Sequence, residues 1–192
     1  MADNYGTYAR SKPRVQILKG WDPNEPRTRT RSAPVKSGVT VLSGEILALE
    51  WVSADSEWQW VLADRSNAEH RKQAPYIAQD DSVDPDVRAS GQLVGLSCSG
   101  QFEVQTAYYV TPGGGDQPLP AGIALTYGDG ADAGKVETTA RGAGPTVPVI
   151  GVISGAHHAG PISLVGVNSE ADAADLNVVQ WETHYDSQNA AS

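Results

Sequence analysis

The first dense run of apolar residues in the chain lies between Val35 and Asp64. It contains two extended stretches rich in valine, leucine and tryptophan, separated by the polar residues 53–57. Short β-branched and aromatic stretches on either side of a polar reversal are typical of a β-hairpin. We therefore predict that this run forms the first hairpin of the fold and holds the preceding segment against the core.

Alternation with a period of two recurs through the rest of the chain. The two clearest runs are residues 91–97 and 102–110, and the second of them keeps a strict period of two. Further apolar runs follow at 121–127, 147–154, 161–167 and 176–185, with glycine or proline between them. The pattern predicts an all-β protein, a sandwich or distorted barrel of about nine to ten short antiparallel strands.

At most one or two short helices fit this pattern. Residues 63–75 can form one of them, with Ser66 and Glu69 as a capping box and Pro75 as its end, although a loop is the alternative. The acidic residues 80–86 predict a solvated loop.

Proline positions and charge divide the chain into segments. Residues 1–36 contain four prolines and carry eight basic against three acidic residues, a net charge of +5, whereas residues 37–192 carry six against twenty, or −14. We predict an extended basic N-terminal arm (1–36), a β-rich body (37–186) with an alternative sub-boundary near 112–120, and a polar tail (187–192). Because the arm has no face to bury, it can order only against a partner.

Several residues of the arm are candidates for contacts with that partner. Three apolar side chains stand in a basic segment and look like an anchor, and the arginines beside them can supply electrostatic contacts. The predicted partner-binding residues are Ile17, Leu18, Trp21, Arg27, Arg29 and Arg31. The alternative for Trp21 is that it folds back onto its own body.

Recognisable catalytic and metal-binding motifs are missing from the sequence. The single Cys98 cannot form an intrachain disulfide and is expected to be buried and inert. His157 and His158 are adjacent and point to opposite sides of an extended backbone, and residues 80–86 lack the spacing of an EF-hand. We therefore predict a protein that is not an enzyme and uses no metal and no cofactor.

Charge and hydropathy narrow the partners further. An acidic body with a net charge of −14 repels nucleic acid. No apolar run approaches the ~18 residues of a membrane span, and the first residues lack the apolar region of a secretory signal. We expect a protein synthesised in a cytoplasm that binds neither nucleic acid nor membrane.

Three features together resemble a known group of proteins. They are the basic N-terminal arm, the glycine-punctuated body with the stretch Gly122–Tyr127, and the late apolar strand Val149–Ser154. This layout resembles the decoration, or cement, proteins that bind the outside of tailed-phage heads, and more loosely other phage head structural proteins. The resemblance implies a virion protein on the capsid exterior that stabilises the capsid, contacts the major capsid protein, assembles as a homotrimer or a dimer, and clamps neighbouring capsid subunits with its arm.

A ligand-binding role is the alternative. A carbohydrate- or ligand-binding β-sandwich module of a virion or surface protein uses exposed aromatic rings to stack on sugars. The rings that the sequence offers are Trp58, Trp60, Tyr108 and Tyr109, although the alternation places some of them in the core.

Overall fold

The computed structural model describes residues 15–19, 30–99, 103–106, 109–110, 122–139, 148–153 and 179–186. These residues form eleven β-strands, two short α-helices and one 3-10 turn, so the all-β prediction is confirmed. The strands are β1 (Val15–Lys19), β2 (Thr30–Ala33), β3 (Ile46–Val52), β4 (Glu57–Leu62), β5 (Tyr76–Ala78), β6 (Leu93–Ser97), β7 (Glu103–Thr106), β8 (Ala124–Tyr127), β9 (Val136–Thr138), β10 (Val149–Ile153) and β11 (Val179–Asp186). The helices are α1 (Ala68–Arg71) and α2 (Pro85–Ser90), and the 3-10 turn is Gly130–Asp132.

The strands pair into two antiparallel sheets. The order is β2-β6-β5-β3-β4 in the five-stranded sheet and β1-β7-β11-β10-β8-β9 in the six-stranded sheet. β3 and β4 pair from Leu47 opposite Leu62 to Val52 opposite Glu57. The hairpin that the sequence predicts is therefore present.

The five-stranded sheet closes on itself. Beyond β2, Val35 lies beside Trp60 of β4 in a parallel bridge. Trp60 donates its backbone N–H to the Pro34 carbonyl (2.8 Å) and accepts the N–H of Lys36 (3.0 Å). Because β2 and β4 are the outer strands of this sheet, the bridge joins its two edges into a ring.

The six-stranded sheet closes in the same way. The order of its last five strands, β7-β11-β10-β8-β9, is the order of the first sheet with every strand number raised by five. Tyr109, which follows β7, forms a parallel bridge with Val136 of β9. Val110 then donates to the Val136 carbonyl (2.7 Å), as Lys36 does to Trp60. β1 adds a further strand outside β7.

The two rings also agree in register, so positions in one can be matched to positions in the other. Two glycines at equivalent places have φ near +90°, a backbone conformation that favours glycine, and each donates to an equivalent carbonyl. The matched pairs are Leu49–Trp60 with Tyr127–Val136, and Gly44–Ala78 with Gly122–Ile153. The described residues therefore form a structural tandem of a first unit (residues 30–99) and a second unit (the described residues between 103 and 186).

The cores of the two units carry their largest side chain on different strands. In the first unit the fully buried Trp60 reaches across to β6, where a Cβ atom on Gly95 would lie 3.0 Å from its ring. By register, the second unit has Val136 in the place of Trp60 and the fully buried Trp181 in the place of Gly95. Close packing requires that the interior of each closed sheet be filled, but the large side chain that fills it can come from either strand. Because the large residues stand at non-equivalent positions, the sequence does not reveal that the two units are related.

Two clusters of buried side chains form the core. One lies inside the first unit and includes Leu47, Leu49, Trp60 and Leu93. The other contains residues of both units, such as Ile46 and Val61 from the first and Leu125 and Trp181 from the second. The two units therefore pack on a common core.

The N-terminal segment is part of both sheets. β1 pairs with β7, with Val15 opposite Thr106, and β2 pairs with β6, with Thr30 opposite Leu96. The sequence treats residues 1–36 as an arm separate from the body, but residues 15–19 and 30–36 are hydrogen-bonded into it. An edge strand needs only backbone partners, so the pattern of its side chains does not reveal the pairing. Residues 187–192 and the region near 112–120 lie outside the described residues.

The helix starts differ from the sequence prediction. α1 is capped by Asn67, whose side chain accepts the N–H of Glu69 (2.9 Å), so the choice of Ser66 as the cap is wrong. Residues 80–86 were expected to be loop only, but α2 begins at Pro85. Asp84 caps α2, and Gly91 ends it with φ of 67°.

Candidate binding surface

Two exposed tryptophans lie opposite each other near the tip of the β3–β4 hairpin. Trp51 and Trp58 are 48% and 47% exposed, and their rings meet edge to face with centroids 5.6 Å apart. They share a face of the hairpin with the buried Leu49 and Trp60, because residues two apart on a strand point to the same side. The apolar stripe that lines the first unit therefore continues beyond the ring into solvent. We call Trp51 and Trp58 the tryptophan pair.

The backbone at the tryptophan pair has free edges on both sides. Trp60 directs its N–H and C=O outward to residues 34–36, so Trp58, two residues earlier, has the same orientation. On the other strand, the Gln73 side-chain amide bonds to both the N–H and the C=O of Leu49 (2.9 Å each). No residue in the described part of the chain bonds to the outward groups of Trp51 or Trp58.

The opposite face of the hairpin is held by polar contacts. The buried Gln59 donates to Asp55 (2.8 Å) and to Glu57 (3.0 Å), which ties the strand to the turn. Lys36 pairs with Glu50 at 2.9 Å, and this contact joins the hairpin to the segment that follows β2. These contacts brace the hairpin that carries the tryptophan pair, and a braced backbone loses less entropy on binding.

The equivalent hairpin of the second unit does not end in solvent. Its residues 128–135 lie against the first unit, where Gly134 accepts the N–H of Ile46 (2.7 Å) and donates to the Ala63 carbonyl (2.9 Å). Arg65 donates its backbone N–H to Gly128 (3.0 Å). By register from Leu49–Trp60 and Tyr127–Val136, Gly134 occupies the position of Trp58.

An ion pair strengthens this contact between the units. Arg65 reaches Asp129 at 2.7 Å and Glu137 at 3.5 Å. The Arg65 and Glu137 side chains are only 11% and 4% exposed, so the pair is weakly screened by solvent. Asp129 occupies the position of Trp51 by the same register. The two hairpins thus differ at the two positions that make the contact.

The predicted arm residues are only partly described. Ile17 and Leu18 lie in β1, with the backbone of Ile17 opposite Val104. Arg31 is exposed on β2, in the other sheet. Trp21, Arg27 and Arg29 lie outside the described residues. The structure therefore does not bring the predicted residues into one site.

The sequence did not single out the tryptophan pair as a site. Of the rings named for ligand binding, Trp58 is exposed, Trp60 is buried and donates its Nε1–H to the Leu93 carbonyl (2.8 Å), and Tyr109 is half-buried. Tyr108 lies outside the described residues. The sequence signal that could have found the pair is the length of the apolar alternation along the hairpin, which is longer than the closed sheet can cover. Alternation alone does not show where the closed sheet ends.

The acidic residues 80–86 carry structural contacts. Asp81 accepts the N–H of Ser43 (2.7 Å), and Asp84 caps α2. Burial, together with the charges of Asp84, Asp81 and Asp86, raises the pKa of Asp80. Among the described residues, no group of three or more potential ligands could hold a metal ion.

Two further reactive groups are buried. Cys98 is fully buried, as expected, and burial raises the pKa of its thiol, which makes the reactive thiolate scarce. His157 and His158 lie outside the described residues. His70 on α1 is also buried, and its Nδ1 accepts the backbone N–H of Asp64 (3.0 Å). Since an accepting Nδ1 carries no proton, His70 is neutral in the fold.

We expect His70 to make the protein less stable below about pH 6.5. Burial lowers the pKa of His70 from its ordinary value of 6.5, against the opposing charges of Glu50 and Asp64. Between the two pKa values the unfolded chain binds the proton and the folded chain does not, so the free energy of unfolding falls as the pH falls. Denaturant titrations at several pH values should give a shallower decline for His70→Gln; an equal slope in both proteins would contradict this role.

No protein family model, curated protein or solved structure matches this chain. No helix in the described part of the chain is long and apolar enough to cross a membrane. The fold and the surface define a class: an all-β protein of two tandem closed units that presents an aromatic pair on one hairpin.

Proposed function

We propose that this chain is a structural virion protein that binds the outside of a phage capsid and stabilises it as a homo-oligomer. The observation that carries the proposal is the tryptophan pair: two large exposed rings on one hairpin, whose outward backbone groups bond to no residue in the described part of the chain. Tryptophan is enriched at the energetically dominant positions of protein interfaces. A protein that presents such a pair acts by binding other proteins, and its role is structural rather than catalytic.

In this proposal two different surfaces make the contacts. The basic N-terminal segment clamps neighbouring subunits of the major capsid protein, as the resemblance to decoration proteins implies. Arg31, exposed on β2, is the described member of its arginine series. The two closed sheets, packed on their common core, form the body that carries this segment and the hairpin. Copies that are joined to each other bind a repeating capsid surface with higher effective affinity than a single copy.

The structure changes how the N-terminal contact must be tested. Deleting residues 1–34 would remove β1, β2 and the Pro34 carbonyl that Trp60 uses to close the ring. Such a truncation disturbs the fold as well as the arm. Substitution of arginines in this segment keeps both strands and removes the positive charge.

We expect Arg29→Ser combined with Arg31→Ser to weaken binding to empty phage heads, because electrostatic contacts with the capsid are lost. Co-sedimentation of the purified protein with heads, at two salt concentrations, measures the bound fraction. The matched control, Lys72→Ser with Arg88→Ser, removes the same charge from two exposed positions, the C-cap of α1 and the middle of α2. Binding by the control but not by the arginine variant supports the proposal, and full binding by both contradicts an arginine contact.

Glycan binding is a second candidate, and the tryptophan pair is also the observation that favours it. Sugars stack on exposed aromatic faces, and Trp58 is one of the rings that the sequence offered. The two rings are inclined at 67°, so each would meet a sugar separately. Quenching of tryptophan fluorescence by oligosaccharides, lost in Trp58→Ala, would favour this candidate over capsid binding.

A further inference from the structure

The second unit contains a hairpin equivalent to the one that carries the tryptophan pair, so the two hairpins can be compared within one molecule. The hairpin of the second unit has the same topological place and the same register as the β3–β4 hairpin, and it is seated on the first unit. Its contact residues are Gly134, through backbone hydrogen bonds, and Asp129, through the ion pair with Arg65. These two positions correspond to Trp58 and Trp51.

The contact between the units has a direction. The hairpin of the second unit lies on the strand ends of the first unit, at Ile46 and Ala63. The reverse contact is not made, because Trp51 and Trp58 are exposed and no described residue bonds to their outward backbone groups. A contact between two different surfaces is heterologous, and it leaves one surface of each kind unused at the two ends of a tandem.

The unused receptor surface lies on the second unit. By register, Ala124 occupies the position of Ile46, and Thr139 occupies the position of Ala63. Both residues are partly accessible to solvent. A chain that presents a free hairpin on its first unit therefore presents the matching strand ends on its second unit.

We propose that the tryptophan pair docks on the second unit of a neighbouring copy, at the strand ends marked by Ala124 and Thr139. The contact uses, between copies, the strand ends equivalent to those that join the two units within one chain. Gly134 has φ of 81°, and a Cβ atom there would lie 2.9 Å from Leu62. On the second unit the smaller Thr138 stands in the place of Leu62, so the receptor differs at the point where Trp58 carries a side chain. Trp58 supplies the outward N–H and C=O, and the two rings add apolar area where the internal contact uses the ion pair. A heterologous contact of this kind closes into a ring or extends as a filament, depending on the rotation between copies.

This inference rests on the self-association in the proposed function, and it names the surface that produces it. The occupant is a second copy rather than the capsid because one chain carries both halves of the contact. Arg31, the described arginine of the proposed capsid contact, lies on β2 and not on the hairpin or on the receptor strands. Self-association can therefore be measured without phage heads, so its failure is distinguishable from a failure of the arginine test.

The first experiment measures molar mass by sedimentation velocity over a range of protein concentrations, without heads. We expect wild type to form oligomers and Trp51→Ser with Trp58→Ser to be monomeric. Each lost ring should raise the dissociation constant by at least about 30-fold, as for a dominant interface residue. The control is Val83→Ser, since Val83 is a comparably exposed apolar residue (46%) outside the hairpin. A monomeric wild type, or a double variant with the mass of wild type, overturns the inference.

The second experiment tests the direction of the contact by complementation. Thr139→Arg places a bulky charge on the proposed receptor and should also give a monomer, with the circular dichroism spectrum of wild type as the check of folding. A pair made of one copy of each variant contains one intact hairpin, from Thr139→Arg, and one intact receptor, from the tryptophan variant. Mixing the tryptophan variant with Thr139→Arg should therefore yield a one-to-one dimer. If the mixture stays monomeric while both variants are folded, the proposed pairing is wrong.

Discussion

Trp60→Ala should lower the free energy of unfolding by about 3–5 kcal/mol, the largest effect we expect from a single substitution. The Trp60 ring is fully buried, packs on Tyr76 with centroids 5.0 Å apart, and donates its Nε1–H to Leu93. Alanine leaves a cavity inside the first unit and a buried carbonyl without its partner. Since small proteins have only about 5–15 kcal/mol of net stability, the first unit should be close to unfolding at room temperature.

Denaturant titration followed by far-ultraviolet circular dichroism measures this loss. Trp58→Ala is the matched control, because it removes the same side chain from the same strand at an exposed position and should cost no more than about 0.5 kcal/mol. Both variants must be compared at low protein concentration, so that self-association does not add to the apparent stability. Equal losses in the two variants would show that Trp60 does not fill the closed ring.

Gly95→Val should destabilise the protein by about 1–3 kcal/mol through overpacking. A Cβ atom at this position would lie 3.0 Å from the Trp60 ring and 3.1 Å from Tyr76 Cβ, and the two further methyl groups of valine need space that does not exist. The prediction opposes strand propensity, because valine is favoured over glycine in strands. Ser32→Val, at an exposed position on the neighbouring β2, is the control and should be nearly neutral.

A double-mutant cycle separates overpacking from other causes. Trp60→Phe alone should destabilise the protein, but it also makes room at Gly95. Combined with Gly95→Val, it should cost less than the sum of the two single changes, because the two sites share one volume. Strict additivity of the unfolding free energies would argue that valine disturbs the strand backbone instead. The second unit already shows the exchanged arrangement, with Val136 and Trp181 in these two places.

The exchange also shows why the tandem could not be read from the sequence. Residues 37–46 and 90–102 both begin with Ser-Gly and continue with alternating apolar residues, but the structural register does not match these two segments. Gly44 matches Gly122, and Leu47 matches Leu125, a spacing of 78 residues that these two pairs share. With Trp60 opposite Gly95 in one unit and Val136 opposite Trp181 in the other, the largest side chains fall at positions that do not align.

The N-terminal segment shows a second limit of the sequence. Its prolines and alternating arginines predict an extended chain without a buried face of its own, and the described parts, residues 15–19 and 30–33, are strands. The pairing of β1 with β7 and of β2 with β6 depends on backbone hydrogen bonds, and any side chain pattern permits these. The role of the arm in binding a capsid stays a prediction for the arginine substitutions to test.

The sequence by itself determined the β character of this protein, because period-two alternation and frequent glycine and proline leave no other way to bury the apolar residues. It also placed the first hairpin at Val35–Asp64 and the buried thiol at Cys98. Only the tertiary structure decided that each sheet closes, since the bridges Val35–Trp60 and Tyr109–Val136 join residues 25 or more positions apart. Closure in turn decides which tryptophans are core and which are surface. Trp58 and Trp60 are equivalent in the alternation, but one lies inside the ring and the other beyond its end.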